Sequence, residues 1–364
     1  MASDQSPTFT VEPHHAPIPE DLRADLLIDP GFGRVFTDHM VTIRYAEPDG
    51  WHDARVAARA PLTLDPACAV LHYAQEIFEG LKAYRTERGV VLFRPDANAR
   101  RFQLSAERMA MPVLPEAAFV QAVEHLVRID AGWIPEDEGS LYLRPFMIAT
   151  ETFLGVKPST EYRFMVIASP VRSYFANSSG VLSVWASPYY SRAAPGGTGA
   201  AKCGGNYAAS LLAQAEAVRH GCDQVVFLDS KERRWIEELG GMNVFFVFDD
   251  GSLQTPPLSG TILAGITRDS VIALARARGV EVREQPYSLQ QWRDDAASGR
   301  LREAFACGTA AVVAAIGVVK APDGDFTVAN GGEGRFTAEL RAQLVDIQRA
   351  RSDDPHGWVH PVPR

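Results

Sequence analysis

The sequence predicts a mixed α/β protein with two domains. The chain has 364 residues, more than one hydrophobic core usually organises, so we expect two. Segments of period-two apolar alternation, typical of strands, are interspersed with segments of helical period. A run of small and polar residues at 174–180 separates two such series. We therefore expect a partly flexible lead-in at 1–30, a smaller domain at 31–174, a linker at 175–187 and a larger domain at 188–364.

The first domain is expected to become ordered near Phe32 and to contain several helices. Residues 65–78 should form one, because Asp65 and Pro66 can supply its cap and its first position. Helical spacing also predicts helices over 96–109 and 116–130. Apolar runs predict strands over 141–148 and 163–171.

The second domain is expected to alternate strands and helices. A strand over 181–186 leads into it, and its own elements are a helix over 206–220, a hairpin turned by Asp249, Asp250 and Gly251, a helix entered from Gly265 and ending near Arg278, and a terminal helix over 337–349. The sequence contains no internal repeat.

Composition excludes several classes of function. A hydrophobic share of 46% and a charged share of 22% are those of a globular protein, and a net charge of −9 argues against nucleic acid or an anionic membrane as partner. The four cysteines form no CxxC pair and the histidines show no ligand spacing, so we expect no metal. The longest apolar run, 310–319, is half of a membrane span, so a cytoplasmic location is expected.

A glycine-dense loop at 196–207 contains a lysine, Lys202, near its middle. Glycines let backbone approach a ligand closely, and a lysine buried among them is neutral near pH 7, as a Schiff base requires. The chain has five lysines against 31 arginines, and the other four lie in turns, in a loop or on a strand, so Lys202 alone is expected to be a buried, ligand-facing amine.

Three other interpretations of this loop compete with that one. A nucleotide P-loop needs glycine before the lysine and serine or threonine after it, but Ala201 and Cys203 stand there. A dinucleotide fingerprint needs its third glycine where Lys202 stands. A flexible loop with an incidental lysine remains open.

Charged residues in apolar or glycine-rich settings are the other candidates. Arg100 and Arg101 near a helix start either face an anion or are solvated. Arg144 inside an apolar strand either holds a ligand carboxylate or forms a structural ion pair. Glu238, before two glycines, either meets a ligand nitrogen or caps a surface turn together with Glu237.

These features occur in stretches of a specific order and spacing, namely residues 78–84, 141–145, 202–207, 238–243, 265–268 and 308–310. From about Phe32 to the terminal helix, the sequence resembles the branched-chain aminotransferases, which are fold type IV pyridoxal-phosphate enzymes. The resemblance implies a smaller N-terminal α/β domain, a larger C-terminal domain with a barrel-like sheet, pyridoxal 5′-phosphate between them, and a homodimer.

The resemblance also assigns roles to individual residues. Lys202 would form the internal aldimine, Tyr207 would donate a hydrogen bond to the phenolic oxygen of the cofactor, and Glu238 would meet the pyridine nitrogen. Arg101 would bind the phosphate, and Arg192 would support that end of the pocket. The remaining implied cofactor-binding residues are Gly265, Ile266, Thr267 and Thr309.

The implied reaction is reversible transfer of the amino group of L-leucine, L-isoleucine or L-valine to 2-oxoglutarate. The implied walls of the apolar substrate pocket are Phe32, Tyr73, Phe78, Tyr142, Tyr174 and Gly241. Arg144 would bind the distal carboxylate of glutamate, and the turn at Thr309 and Ala310 would bind the α-carboxylate. Tyr73 would reach the site of the opposite subunit.

The sequence departs from some relatives. Gly241 replaces a threonine, which widens the pocket, and Ala311 and Ala314 replace a CxxC pair, which excludes a thiol-disulfide switch there. A D-amino-acid aminotransferase or an aminodeoxychorismate lyase of the same fold is the alternative, disfavoured by the length of the chain. A scaffold without catalysis is a further alternative, disfavoured because the lysine, tyrosine, glutamate and arginine of the cofactor site are all present.

Overall fold

The computed structural model describes residues 7–136, 138–172 and 180–363. The chain divides into two compact units: one comprises Met1–Tyr174, Ala201–Gly204 and Ile347–Arg364, and the other comprises Phe175–Ala200 and Gly205–Asp346. Tyr174, expected in the substrate pocket, lies outside the described residues, as does the start of the expected linker.

The described residues form eighteen strands and eight α-helices. The strands are β1 (Phe9–Val11), β2 (His39–Ala46), β3 (Gly50–Ala58), β4 (Glu76–Phe78), β5 (Leu81–Thr86), β6 (Gly89–Phe93), β7 (Ser140–Ala149), β8 (Glu161–Val171), β9 (Val181–Ala186), β10 (Gln224–Leu228), β11 (Ile236–Leu239), β12 (Asn243–Phe248), β13 (Leu253–Thr255), β14 (Val282–Glu284), β15 (Leu301–Gly308), β16 (Val312–Lys320), β17 (Phe326–Thr327) and β18 (Val359–Pro361). The helices are α1 (Glu20–Ile28), α2 (Ala69–Tyr73), α3 (Pro95–Arg108), α4 (Glu116–Ile129), α5 (Gly204–Arg219), α6 (Ile266–Ala277), α7 (Leu289–Ser298) and α8 (Arg335–Gln348).

The first unit is built on a sheet in the order β1-β3-β2-β8-β7-β5-β6-β18, and β4 pairs with β7 beside it. The long strands β2, β7 and β8 pair antiparallel, whereas β1 lies parallel to β3. The buried face of the sheet packs against α3 and α4, where the rings of Phe102, Phe119 and Phe164 contact one another at centroid distances of 5.4–5.9 Å. This aromatic cluster belongs to a core that fixes α3 against the sheet.

The second unit is built on a mixed sheet in the order β11-β10-β9-β16-β15-β12-β13-β14, and β17 pairs with β16. Strand β9 lies parallel to both of its neighbours, while β12, β15 and β16 are antiparallel. Every residue of β12 is buried, which explains its continuous apolar run. Its Phe246 packs on Trp292 of α7.

Most elements match the sequence expectations, and the prediction of a mixed α/β chain is confirmed. Helices α3, α4, α5, α6 and α8 lie within about two residues of their predicted bounds, the usual uncertainty of helix ends. Antiparallel β12 and β13 form the predicted hairpin.

Two expectations about the amino-terminal half are wrong. Residues 65–78 do not form one helix: α2 ends where Ala74 takes a left-handed conformation with φ of 48°, and β4 follows. Regular structure begins before Phe32, because β1 pairs with β3 and α1 precedes that residue.

Candidate active site

Lys202 is held by its backbone between a strand and a helix of the first unit. Its carbonyl oxygen accepts a hydrogen bond from the Phe78 amide at 2.9 Å, and its own amide donates to Ser105 Oγ on α3 at 3.0 Å. Lys202 Nζ lies 4.5 Å from the centre of the Phe78 ring. Residues far apart in sequence therefore fix where this amine sits.

The setting of Lys202 favours a neutral amine. Burial, and then the positive charge of Arg101, lower the pKa of Lys202 from 10.5 to about 8, while Glu79 acts in the opposite direction. A pKa of about 8 leaves roughly a tenth of the amine unprotonated at pH 7, far more than for an exposed lysine, and the unprotonated form is the one that acts as a nucleophile.

Lys202 is not the only lysine whose amine is desolvated, contrary to the expectation from sequence. Lys82 on β5 is buried, and burial followed by the charge of Arg349 lowers its pKa to about 8 as well. The prediction failed because the sequence does not show whether a lysine on a strand lies on the buried or on the exposed face of the sheet.

The structure separates the two arginines at the start of α3. Arg100 is solvated and pairs with Asp96 at 2.6 Å, whereas Arg101 is buried. Arg101 forms a two-pronged ion pair with Glu79, with Nε 2.7 Å from Oε1 and Nη2 2.8 Å from Oε2. Glu79 was not predicted as a site residue; the one sign of it in the sequence is a carboxylate within an apolar stretch, which must be paired if it is buried.

Aromatic side chains and Arg144 lie beside the lysine in the same unit. The Arg144 guanidinium carbon stands 4.7 Å from the centre of the Phe78 ring, and Nη2 donates to Tyr142 Oη at 3.1 Å. Phe32 packs on Tyr142 at a centroid distance of 5.1 Å. A Cβ on Gly80 would lie 2.2 Å from Tyr142 Oη, so only glycine leaves room for that ring.

Arg144 forms no ion pair with a carboxylate among the described residues, so the structural ion pair considered from sequence is absent there. Its Nε is buried without a hydrogen-bond partner in the same part of the chain. A buried N–H of a guanidinium that lacks a partner is costly, and a ligand carboxylate could supply one.

Tyr73, at the end of α2, packs against another aromatic residue of the same unit. It stacks on Phe153 at a centroid distance of 6.3 Å and donates a hydrogen bond to the carbonyl oxygen of Leu154. Its expected role at the site of the opposite subunit stays a prediction.

In the second unit, Glu238 and Arg192 form a buried ion pair at 3.0 Å. Glu238 Oε1 also accepts from the Leu263 amide at 3.0 Å, and Arg192 donates to the carbonyl oxygens of Thr261 and Gly199. Glu238 is therefore a fixed, charge-paired carboxylate on β11 and does not cap a surface turn.

The geometry gives Arg192 a clear role beside the carboxylate. Within the described residues it pairs with Glu238 and donates to two backbone carbonyl oxygens, so it supports Glu238; its expected role at the phosphate end stays a prediction. Its position follows from the glycine loop, whose Gly199 approaches the Thr261 backbone too closely for a side chain.

Other expected residues of the second unit lie near one another. A Cβ on Gly241 would lie 3.7 Å from Tyr207 Cε1, and one on Gly308 would lie 3.6 Å from the Gly241 carbonyl oxygen. The turn that contains Thr309 and Ala310 follows directly after Gly308.

Helix α6 begins where the phosphate-binding amides were expected. Gly265 is its N-cap residue, and Ile266 and Thr267 are its first residues. Amides in a first helical turn lack intrahelical partners, which makes them suited to an anion. A Cβ on Gly265 would lie 2.1 Å from Asn243 Oδ1, so the close approach of Asn243 requires glycine there.

The sequence model of the family Amino-transferase class IV matches residues 76–318 of the chain. The chain belongs to the class IV aminotransferases. It is 53% identical over 357 residues to the branched-chain-amino-acid aminotransferase of Mycolicibacterium smegmatis, a match that covers 96% of this chain and 97% of the relative.

Solved structures agree with this family. The branched-chain amino acid aminotransferase of Escherichia coli matches with a TM-score of 0.74 and 29% identity over 90% of this chain and 99% of that one. The enzyme of Thermobaculum terrenum in its PLP-form matches with a TM-score of 0.71 and 26% identity over 89% and 98%. The aminotransferase is thus of the branched-chain type, and the fold type IV prediction is confirmed.

Pyridoxal 5′-phosphate is the cofactor of this family, as predicted. The residues of this aminotransferase fit it chemically: Lys202 has an amine of lowered pKa, and Glu238 is a buried carboxylate beside a cation. Within the described residues, no group of side chains has the composition of a metal site, and no helix has the length and hydropathy to cross a membrane.

Proposed function

We propose that this aminotransferase transfers the amino group of L-leucine, L-isoleucine or L-valine to 2-oxoglutarate, and that Lys202 is the residue that moves the proton. The proposal is supported by the 53% identity to a branched-chain-amino-acid aminotransferase and by the setting of Lys202, whose Nζ lies 4.5 Å from the centre of the Phe78 ring and whose pKa is lowered to about 8. The backbone of Lys202 is hydrogen-bonded to Phe78 and Ser105, which fixes the point from which its side chain extends.

Lys202 acts as base and then as acid in this proposal. When bound, pyridoxal 5′-phosphate supplies an electron-withdrawing ring that makes the α-proton of the amino acid acidic. The Lys202 amine would take that proton from Cα and return it at the cofactor's C4′ position, on the other side of the shared nitrogen, so that one group would serve both steps. Tyr207 donates a hydrogen bond to the phenolic oxygen.

The charged residues hold the ring in place. Glu238 would hold the ring nitrogen and keep it protonated, and Arg192 beside Glu238 compensates for the burial of that carboxylate. Arg101, with Thr309 and the amides of Ile266 and Thr267, binds the phosphate. The assignment of residues from both units to one cofactor rests on the family.

The substrate pocket must accept a branched aliphatic side chain and the dicarboxylic partner. Phe32, Phe78 and Tyr142 offer apolar surface, with Tyr174 and Gly241 assigned by family. In such a pocket, one methylene group changes the free energy of transition-state binding by only about 1–3 kcal/mol. All three amino acids should therefore react. Arg144 binds the distal carboxylate of glutamate, which would supply the partner that its buried Nε lacks among the described residues. The α-carboxylate binds at Thr309 and Ala310.

Steady-state assays with purified enzyme test this proposal. L-Leucine, L-isoleucine and L-valine should each react with 2-oxoglutarate, and D-alanine should not. Lys202→Ala should lose activity while still binding the cofactor reversibly, and Lys231→Ala in an exposed turn is the matched control. Activity with D-alanine instead of L-leucine, or full activity of Lys202→Ala, would refute it.

Arg144→Met should affect the kinetics with 2-oxoglutarate and with L-leucine differently. It should raise KM for 2-oxoglutarate at least about tenfold, because a charge-assisted contact is lost, and leave KM for L-leucine nearly unchanged. An equal rise for both substrates would contradict the assigned role.

A homodimer in the cytoplasm completes the proposal. Helix α5 exposes large apolar side chains, with Leu211 66%, Leu212 53% and Val218 63% accessible, and such a surface is typical of an interface. Analytical ultracentrifugation should show twice the chain mass of 39.8 kDa. A monomer that is fully active at all concentrations would exclude the dimer.

A further inference from the structure

Glu79 is a fully buried carboxylate that the proposed chemistry does not use. It directly follows β4, and its amide donates to the Pro145 carbonyl oxygen at 2.7 Å. Its Oε2 accepts from the Gly80 amide at 3.1 Å as well as from Arg101. Both the backbone and the side chain of Glu79 are therefore fixed.

The ion pair with Glu79 determines how the Arg101 guanidinium is turned. Glu79 occupies the edge formed by Nε and Nη2, at 2.7 and 2.8 Å, and such a planar two-pronged contact defines the plane and rotation of the group. The remaining N–H groups of the guanidinium point away from Glu79. One turn further along α3, Ser105 holds the Lys202 amide, so the same helix connects both groups.

We propose that Glu79 is a positioning residue: it orients the Arg101 guanidinium toward the cofactor phosphate and balances its charge beside Lys202. This inference rests on the proposed function, in which Arg101 binds the phosphate. In this role Glu79 acts through Arg101.

A simple counter-charge would behave in the opposite way. If Glu79 only neutralised Arg101, its removal would leave a stronger positive field, and the protein would bind phosphate more tightly. If Glu79 positions Arg101, its removal lets the guanidinium rotate, and phosphate binding weakens. The sign of the change in affinity therefore separates the two roles.

The first experiment measures binding to the cofactor-free protein by calorimetric titration with pyridoxal 5′-phosphate and with inorganic phosphate. Glu79→Gln should raise both dissociation constants about tenfold or more, and Arg101→Gln should do the same. The double variant should be no weaker than Arg101→Gln alone, because both changes remove one interaction. Glu303→Gln is the control: Glu303 binds the Phe336 and Thr337 amides of α8, so its loss should leave phosphate binding unchanged.

Glu79→Asp keeps the negative charge but moves it away from Arg101 by the length of one methylene group. This variant provides a second test if Glu79→Gln does not fold. Positioning predicts weaker phosphate binding for this variant as well, whereas a mere counter-charge predicts wild-type affinity. Wild-type affinity in Glu79→Asp, or tighter binding in Glu79→Gln, would overturn the inference.

A second readout follows the charge beside Lys202. The rate of reductive methylation of Lys202 as a function of pH, followed by mass spectrometry in the cofactor-free protein, reports the pKa of its amine. Because Glu79 raises that pKa and Arg101 lowers it, Glu79→Gln should shift the profile to lower pH and Arg101→Gln to higher pH. Identical profiles in all variants would contradict the inference.

The outcomes distinguish this inference from the proposed function. If Arg101→Gln binds pyridoxal 5′-phosphate as tightly as the wild type, the assignment of Arg101 to the phosphate fails, and the inference fails with it. If Arg101→Gln weakens binding while Glu79→Gln strengthens it, the proposed function stands and only the positioning role is lost.

Discussion

Replacing Lys202 by methionine should stabilise the cofactor-free protein. The pKa of Lys202 is about 8 in the folded chain and 10.5 in an exposed lysine, so the unfolded chain binds more protons only between these two pH values. The folded state therefore bears a penalty that is absent above pH 10.5, grows as pH falls and is complete below pH 8. A shift of this size corresponds to at most about 3 kcal/mol, since one pKa unit is worth about 1.4 kcal/mol.

Urea unfolding at pH 7 and pH 10 tests this reasoning. Lys202→Met should raise the free energy of unfolding by up to about 3 kcal/mol at pH 7 and by much less at pH 10. Lys82→Met should behave alike, because Lys82 has a similarly lowered pKa, and Lys231→Met, at an exposed position, should show no such gain. A Lys202→Met protein no more stable than the wild type at pH 7, or equally stabilised at both pH values, would refute it.

Three further substitutions test the geometry of the site. Gly80→Ala places a Cβ 2.2 Å from Tyr142 Oη, so steady-state kinetics should show KM for 2-oxoglutarate raised about tenfold or more; unchanged kinetics would contradict the clash. Gly205→Ala, within α5 and with no atom within 4 Å of the new Cβ, should add about 1 kcal/mol to the free energy of unfolding, and a loss of stability would show that contacts matter there. Arg192→Met leaves Glu238 buried without its cation and should cost about 3–5 kcal/mol in urea unfolding; a neutral result would mean that the pair is dispensable.

Local signals made most of the helices predictable. Helices α3, α4 and α6 have apolar residues at helical spacing, and α3 has proline at its first turn. The helix expected over 65–78 failed because its apolar spacing continues beyond the point where Ala74 turns the backbone left-handed. Nothing in the side chain of an alanine signals that conformation.

Residue chemistry pointed to the charged members of the site, but their partners are a matter of tertiary structure. Lys202, Arg101 and Glu238 stand out in the sequence as charges in apolar or glycine-rich settings. That Arg192 would lie against Glu238, and that Glu79 would hold Arg101, depends on strands and helices meeting across long separations in sequence. Of these two ion pairs, the one made by Glu79 was easier to predict from sequence. A carboxylate between Phe78 and Gly80, like Arg144 in its apolar strand, must be paired if it is buried.

Strand β18, close to the carboxyl end of the chain, pairs antiparallel with β6 and occupies the outer edge of the first sheet. During synthesis, β6 therefore emerges long before its neighbour and must remain an open edge while the whole second unit is made. Removing the residues of β18 would leave that edge permanently exposed to pairing with another polypeptide. A truncation remote from Lys202 in sequence would then lower the yield of usable enzyme through aggregation in the cell.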